Sequence, residues 1–349
     1  MSTNDGNGIS FSILPEEDQQ HFRLLELPPE LLRMLTSDTS TTLQFKSQDG
    51  LPGHLGTNAV VCTDANTFNL RQVNTSNSVY ITQPDGGEAE DGASSTGGLQ
   101  AVAESDSTLE LIPVPSHVNN AKSQIRALLP TTYSSTGHRQ TNNLRTKRAL
   151  FADVPFSEME CAAAFEYMAC FELDDPAGCF VPSGRVRLQA WKAIMEEAAV
   201  HSLDLTKPLS VTQAVLIIPQ ATDLPYALLK AVKNAIADTA YSGKQETAIL
   251  DEQCVVFVGL SQLEASSQNG GATSKTKFMA AWADLLPEKW RSKASLELLK
   301  NQYVLTNEGR DIAFAGGGAD VRGAPSTAVP ATGSKRKWHD KFRASKKAT

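Results

Sequence analysis

The pattern of apolar and polar positions is sharpest between Phe278 and Phe314, FMAAWADLLPEKWRSKASLELLKNQYVLTNEGRDIAF. Phe278, Trp282, Leu285 and Leu286 recur at helical spacing and stop at Pro287. Leu296, Leu298 and Leu299 predict a second helix over Ala294–Lys300. Two short apolar runs follow, Tyr303–Leu305 and Ile312–Phe314, with the turn chemistry of Asn307, Glu308 and Gly309 between them. Helix, turn, helix, hairpin is the order of a winged helix, so residues 275–316 read as one such module. Ser266–Lys275 reads as the linker into it.

Residues 151–262 give a second, mainly helical and winged-helix-like region. Ser157 and Glu160 form a capping box that opens a helix with Met159, Ala162, Ala163 and Tyr167 on its face. Strand-like runs at Cys170–Leu173 and Cys179–Val181 flank an Asp-Asp-Pro-Ala-Gly turn, a second helix-then-hairpin unit. Val186, Ala190, Ile194 and Ala198 mark a long helix, and Val211–Ile218 and Tyr226–Ala240 two more. Cys254–Gly259, CVVFVG, reads as a buried strand.

The amino-terminal half alternates with period two. Residues 1–20 are polar and expected to be loose and disordered. Residues 21–133 form a β-rich domain. In it Pro29 and Glu30 open a short helix carrying Leu31, Leu32 and Leu35. Strands are predicted at Thr42–Lys46, Ala59–Thr63, Thr67–Val73, Ser78–Thr82 and Thr108–Val114, with Asn74–Asn77 as a turn. Pro84–Ser107, rich in Gly, Ser and acid, reads as a disordered insertion. Strands this few and short suit a small barrel-like sheet with edges for another chain to cover. Residues 134–150 are a linker, and 317–349 a disordered basic tail. The fold class is therefore α+β: a small β-barrel-like domain, tandem winged-helix modules and a basic tail.

Charge sharpens this division. The chain carries a net −7, yet its last fifteen residues hold Lys335, Arg336, Lys337, Lys341, Arg343, Lys346 and Lys347 against Asp340 alone. Such a tail suits nuclear import with weak DNA contact, or simple solubility. No Lys or Arg occurs between Arg71 and Lys122. Lys289, Arg291, Lys293 and Lys300 flank the second helix of the 275–316 module. They are candidate phosphate contacts, diluted by Glu288 and Glu297, and a solvated charged face explains them equally well.

Five cysteines in odd number, without a Cys-x-x-Cys pair, read as reduced and buried thiols of a cytosolic or nuclear protein. The six histidines are scattered and no metal motif occurs. No G-x-x-x-x-G-K-[ST] or G-x-S-x-G sequence is present, so neither nucleotide hydrolysis nor any other catalysis is expected, and no cofactor. There is no signal-peptide pattern and no apolar run long enough for a bilayer.

Several stretches together resemble one family: LLELPPELL at 24–32, AVVCTDANTFNLRQVNTSNSVYI at 59–81, DVPFSE at 153–158, GCFVPS at 178–183 and FMAAWADLLPE at 278–288. They are similar to the sister chromatid cohesion proteins of the Dcc type, over about residues 22–315. The resemblance implies a nuclear, non-catalytic subunit of an alternative replication factor C clamp loader, the chromosome transmission fidelity complex. The implied partners are the loader's large ATPase subunit and small accessory subunit, the catalytic subunit of DNA polymerase epsilon, DNA bound weakly and without sequence choice, and, indirectly, the sliding clamp. Members of that family continue past the equivalent of Ala315 into a further folded module, where this chain turns to low complexity. Phe68, Leu70, Arg71, Val73 and Asn77 lie on the most specific motif. They are candidates for a partner-completed sheet, although Phe68 and Leu70 would equally face the module's own core. The alternative is a winged-helix regulator or adaptor acting alone on chromatin.

Overall fold

The computed structural model describes residues 9, 11–37, 42–47, 59–84, 98–114, 118–129, 132–133, 144–220, 222–237, 246–267 and 271–315. The fold is mixed α+β. Its first part comprises β1 (Phe11–Ile13), β2 (Leu24–Glu26), α1 (Pro29–Thr36), β3 (Gln44–Ser47), β4 (Ala59–Cys62), β5 (Thr67–Pro84) and β6 (Leu99–Pro113). These strands form one sheet in the order β1-β6-β5-β4-β3, with β2 also paired to β6. β1 and β2 run parallel to β6, and the other neighbours are antiparallel. The sheet curls into a half-barrel and, among the described residues, does not close, because its end strands β1 and β3 are not paired to each other.

Three expectations fail here. Asn74–Asn77 is not a turn but the middle of the 18-residue strand β5, which pairs with β6 on both sides of a register shift between Asn74 and Val79. The polar run imitates turn chemistry because it marks a bulge in a strand whose side chains meet water. Leu99–Ser107 belongs to β6 rather than to an insertion. Within residues 1–20, Phe11–Ile13 is a strand, ordered by its parallel pairing with Leu99–Ala101.

α1 begins with Pro29 at a position where a missing N–H costs nothing, and Glu30 lies in its first turn. Its fully buried Leu31 packs with Val61, Phe68 and Leu111, flanked by Leu25, Leu27, Leu35, Leu43 and Leu70. This is a small core for a six-stranded sheet, and it lies under the Thr67–Leu70 end of β5 rather than under the whole hairpin.

The second part comprises α2 (Val118–Leu128), β7 (Thr132–Tyr133), α3 (Lys147–Asp153), α4 (Glu158–Tyr167), β8 (Phe171–Asp174), β9 (Ala177–Pro182), α5 (Gly184–Val200), β10 (Leu209–Ser210), α6 (Val211–Leu216) and α7 (Tyr226–Ile236). It continues with β11 (Glu246–Thr247), α8 (Asp251–Ser267), β12 (Thr273–Ser274), α9 (Lys275–Asp284), 3-10 turns at Glu288–Lys293 and Leu296–Leu299, β13 (Tyr303–Thr306) and β14 (Asp311–Phe314). The capping box at Ser157 and Glu160 is formed, and the β8–β9 and β13–β14 hairpins are in place. α2, inside the stretch expected to be β-rich, packs its Ala121 and Ile125 with Cys161 and Ala164 of α4.

Cys254–Gly259 is helical, not a strand. A short run apolar on every side has no period to distinguish the two states. Here α5, α7 and α9 surround α8, so Cys254, Val255 and Val258 are all fully buried. α8 extends to Ser267 and β12 follows at Thr273, which shortens the expected linker. The helix expected over Ala294–Lys300 is only a 3-10 turn at Leu296–Leu299, separated from the preceding turn at Glu288–Lys293 where Ala294 is extended (φ −62°, ψ 102°). Trp290 and Leu299 are the buried anchors of those turns.

No helix among the described residues is long and apolar enough to cross a membrane, and no group of His, Cys, Asp and Glu among them could hold a metal ion. Of the expected linker at 134–150, residues 134–143 lie outside the described residues, while α3 already begins at Lys147; the tail at 317–349 lies outside them too.

Candidate functional site

The β5–β6 hairpin runs well past α1. Its far end, with β1 against it, carries apolar side chains that nothing among the described residues covers. Phe11 (52% exposed), Ile13, Val79, Tyr80 and Leu99 all face solvent. Phe11 and Tyr80 meet edge to face with ring centroids 5.9 Å apart, so the patch is locally organised. Phe45 on the opposite end strand is 63% exposed. Among the described residues no strand pairs the outer edges of β1, β2 or β3. An open sheet with unpaired edges and an apolar patch is a template for a further strand or chain.

The candidates on the most specific motif separate around this surface. Phe68 is buried in the small core, and Leu70 packs against it. Val73 is half-buried. Arg71 is exposed and pairs at 2.5 Å with Glu110, its cross-strand neighbour. Asn77 is exposed beside the bulge and keeps an interaction of its own. The outward patch itself, Phe11 to Leu99, was not read from the sequence. The signal was present in the alternation of Phe11 and Ile13, but short polar neighbours masked it.

The basic candidates are not gathered into one patch. Lys289 donates to Asp204 Oδ2 at 2.8 Å and to Thr206 Oγ1 at 3.0 Å. The Lys289 and Thr206 donors hold the Asp204 carboxyl well below the usual range. Lys293 pairs with Asp251 and likewise lowers that carboxyl. Arg291 Nε donates to the Leu286 carbonyl at 3.4 Å, and Lys300 is exposed. Lys335, Arg336, Lys337, Lys341, Arg343, Lys346 and Lys347 lie outside the described residues.

The half-barrel is fixed to the helical part by two polar junctions. Lys46 Nζ of β3 donates to the carbonyls of Phe151 at 2.8 Å, Val154 at 3.1 Å and Phe156 at 2.6 Å. The three carbonyls converge at the end of α3 and the chain just after it, and an ammonium supplies three donors in a cone. Buried Glu160 accepts from Thr67 Oγ1 at 2.6 Å and from Ser157 Oγ at 2.7 Å, and the Ser157 amide donates to Thr67 Oγ1 at 2.8 Å. The capping box therefore also anchors the first residue of β5.

All five cysteines are free and buried. Burial pushes the Cys161 and Cys179 thiols up to about 12, so they stay protonated and unreactive at neutral pH.

The family model described as sister chromatid cohesion protein Dcc1 matches residues 22–336 of this chain. The match reaches past Ala315, beyond the end of the resemblance read from the sequence. Among curated proteins no match is found. The chain belongs to the sister chromatid cohesion protein Dcc1 family, and its role is in sister chromatid cohesion.

Proposed function

We propose that this member of the sister chromatid cohesion protein Dcc1 family is a non-catalytic accessory subunit of an alternative replication factor C clamp loader. It works in the nucleus during DNA replication, bridging the loader to DNA polymerase epsilon and to DNA and so supporting sliding-clamp loading. The observation that carries this reading is the open half-barrel, with its unpaired edges and the uncovered patch from Phe11 to Leu99. The large ATPase subunit and the small accessory subunit are the chains that complete it. Each large apolar side chain buried by such a partner contributes about 1.5–3 kcal/mol.

The helical part supplies the docking arms. α8, β12, α9, the two 3-10 turns, β13 and β14 follow the winged-helix order, and their strands are arranged β12-β14-β13. Lys289 and Lys293 are already engaged by acids, which supports weak DNA contact and a polymerase as the main ligand of these arms.

The test is co-purification of the full chain with the loader's large and small subunits. The intact chain should retain both. Phe11→Asp with Tyr80→Asp should lose them while keeping its helical signal and thermal transition. Unchanged retention by that variant would remove the sheet from the argument. A monomer that binds neither subunit but holds a specific DNA sequence tightly would favour a regulator acting alone.

A further inference from the structure

A groove on the helical part is lined, among the described residues, by none from the open sheet. It follows one side of α8 and consists of two cavities of about 600 and 370 Å³ that share Tyr167, Arg187 and Leu260. Its floor is apolar, with Val256 and Leu260 one helical turn apart on α8 and Phe257 beside them. Tyr167 and Leu250 on its rim are each about two-fifths exposed (40% and 39%).

The two ends of the groove are opposite in charge. At the carboxyl end of α8 stand Lys122, Arg126 and Arg187, with Glu264 the only carboxylate lining that cavity. Arg126 and Arg187 both bind Glu264. Lys122 Nζ lies 3.0 Å above the Tyr167 ring, and burial pulls it down to about 8. Arg187 is lowered by burial first, and the neighbouring Arg126 adds repulsion. Its Nε is buried without a hydrogen-bond partner among the described residues, a rare state for so strong a donor. At the amino end stand Asp251 and Glu252, Asp251 being paired with Lys293. Glu252 and Glu264 are about 18 Å apart along the helix axis.

We propose that this groove docks an amphipathic helix of a partner protein, antiparallel to α8. Acidic residues in the first turn of the docked helix meet Lys122, Arg126 and Arg187. Apolar residues at i, i+3, i+4 and i+7 fill the floor over Val256 and Leu260. Basic residues in its last turn meet Asp251 and Glu252. This charge order also suits the dipole of the docked helix, which favours acid at its start and base at its end. A nucleic-acid backbone fits worse, because it would run from the basic end onto two carboxylates and would leave the apolar floor unused.

The full chain is titrated against a fluorescein-labelled helical peptide of about twelve residues, which spans the groove. The peptide carries glutamates in its first turn, leucines on one face and lysines in its last turn. The same peptide with glutamates and lysines exchanged, and a single-stranded oligonucleotide long enough to span the groove, are titrated alongside. The first peptide should bind at least about tenfold more tightly than the exchanged one. Lys122→Gln with Arg126→Gln at one end, and Leu250→Asp at the other, should each weaken it about tenfold, measured at a temperature where each variant keeps the full helical signal of the parent chain. Equal binding of the two peptides, insensitivity to both variants, or preference for the oligonucleotide would overturn the proposal.

Discussion

Thr67 Oγ1 donates to Glu160 Oε2 at 2.6 Å across 93 positions of sequence. The residue that starts the longest strand is thereby held by the residue that completes a helix cap. Glu160 is 6% exposed and accepts from three groups, so its removal leaves buried donors unmatched. Glu160→Ala should cost about 3 kcal/mol, read as a shift in urea midpoint. Thr67→Val should cost less, about 1–2 kcal/mol. The double variant should fall short of the sum, because both remove the same bond.

Lys46, on the end strand β3, makes the second polar junction between the sheet and the helical part. Lys46→Met keeps the stem and removes the three charge-assisted hydrogen bonds. The expected loss is about 2–3 kcal/mol in chemical denaturation. It should be accompanied by faster hydrogen exchange in β3 and at the end of α3, and Lys46→Arg should not restore it, since a planar fork cannot reach three converging carbonyls.

Gly259 lies where α8 meets α9. A Cβ there would come within 2.5 Å of the Trp282 ring. That ring cannot move aside cheaply, because Trp282 is fully buried and its Nε1 donates to the Val255 carbonyl at 2.9 Å. Alanine at an exposed helical glycine stabilises by up to about 1 kcal/mol. Gly259→Ala should instead destabilise by about 1–3 kcal/mol, with altered Trp fluorescence as the local readout.

Lys122 gives the chain a pH dependence of definite sign. Burial lowers it to about 8 in the folded chain, against the ordinary lysine value of 10.5. Between these values the unfolded chain holds a proton that the folded chain lacks, so stability rises with pH from about 8 to about 10.5 and is flat with respect to this group below 8. The Tyr167 ring beneath the ammonium attracts the charged form and limits the size of the effect. Lys122→Met should flatten the urea-midpoint profile across that window.

Much of the fold is legible in local pattern. The capping box at Ser157, the Pro29 helix start and the β8–β9 and β13–β14 hairpins follow from residues within a few positions of one another. The errors share a cause. Asn74–Asn77 has turn chemistry but is held extended by β6, and Cys254–Gly259 has strand chemistry but is helical because three helices enclose it. In both, contacts distant in sequence override local preference. The candidate site was legible in the same uneven way. The specific motif 59–81 located the sheet, while Phe11, Tyr80 and Leu99 join into a patch only through β1 and β6 pairing.

The sequence by itself determined the division into a β-rich half and a helical half, the reduced state expected of the cysteines and the family. These depend on composition, short periods and contiguous motifs. Only the tertiary structure decided that the sheet stays open among the described residues, that Lys289 and Lys293 are held by acids, and that Arg126 and Arg187 converge on one carboxylate, Glu264. Each of those depends on which distant segments become neighbours, and a one-dimensional pattern does not encode the geometry of a charge or an unpaired edge until the chain has folded around it.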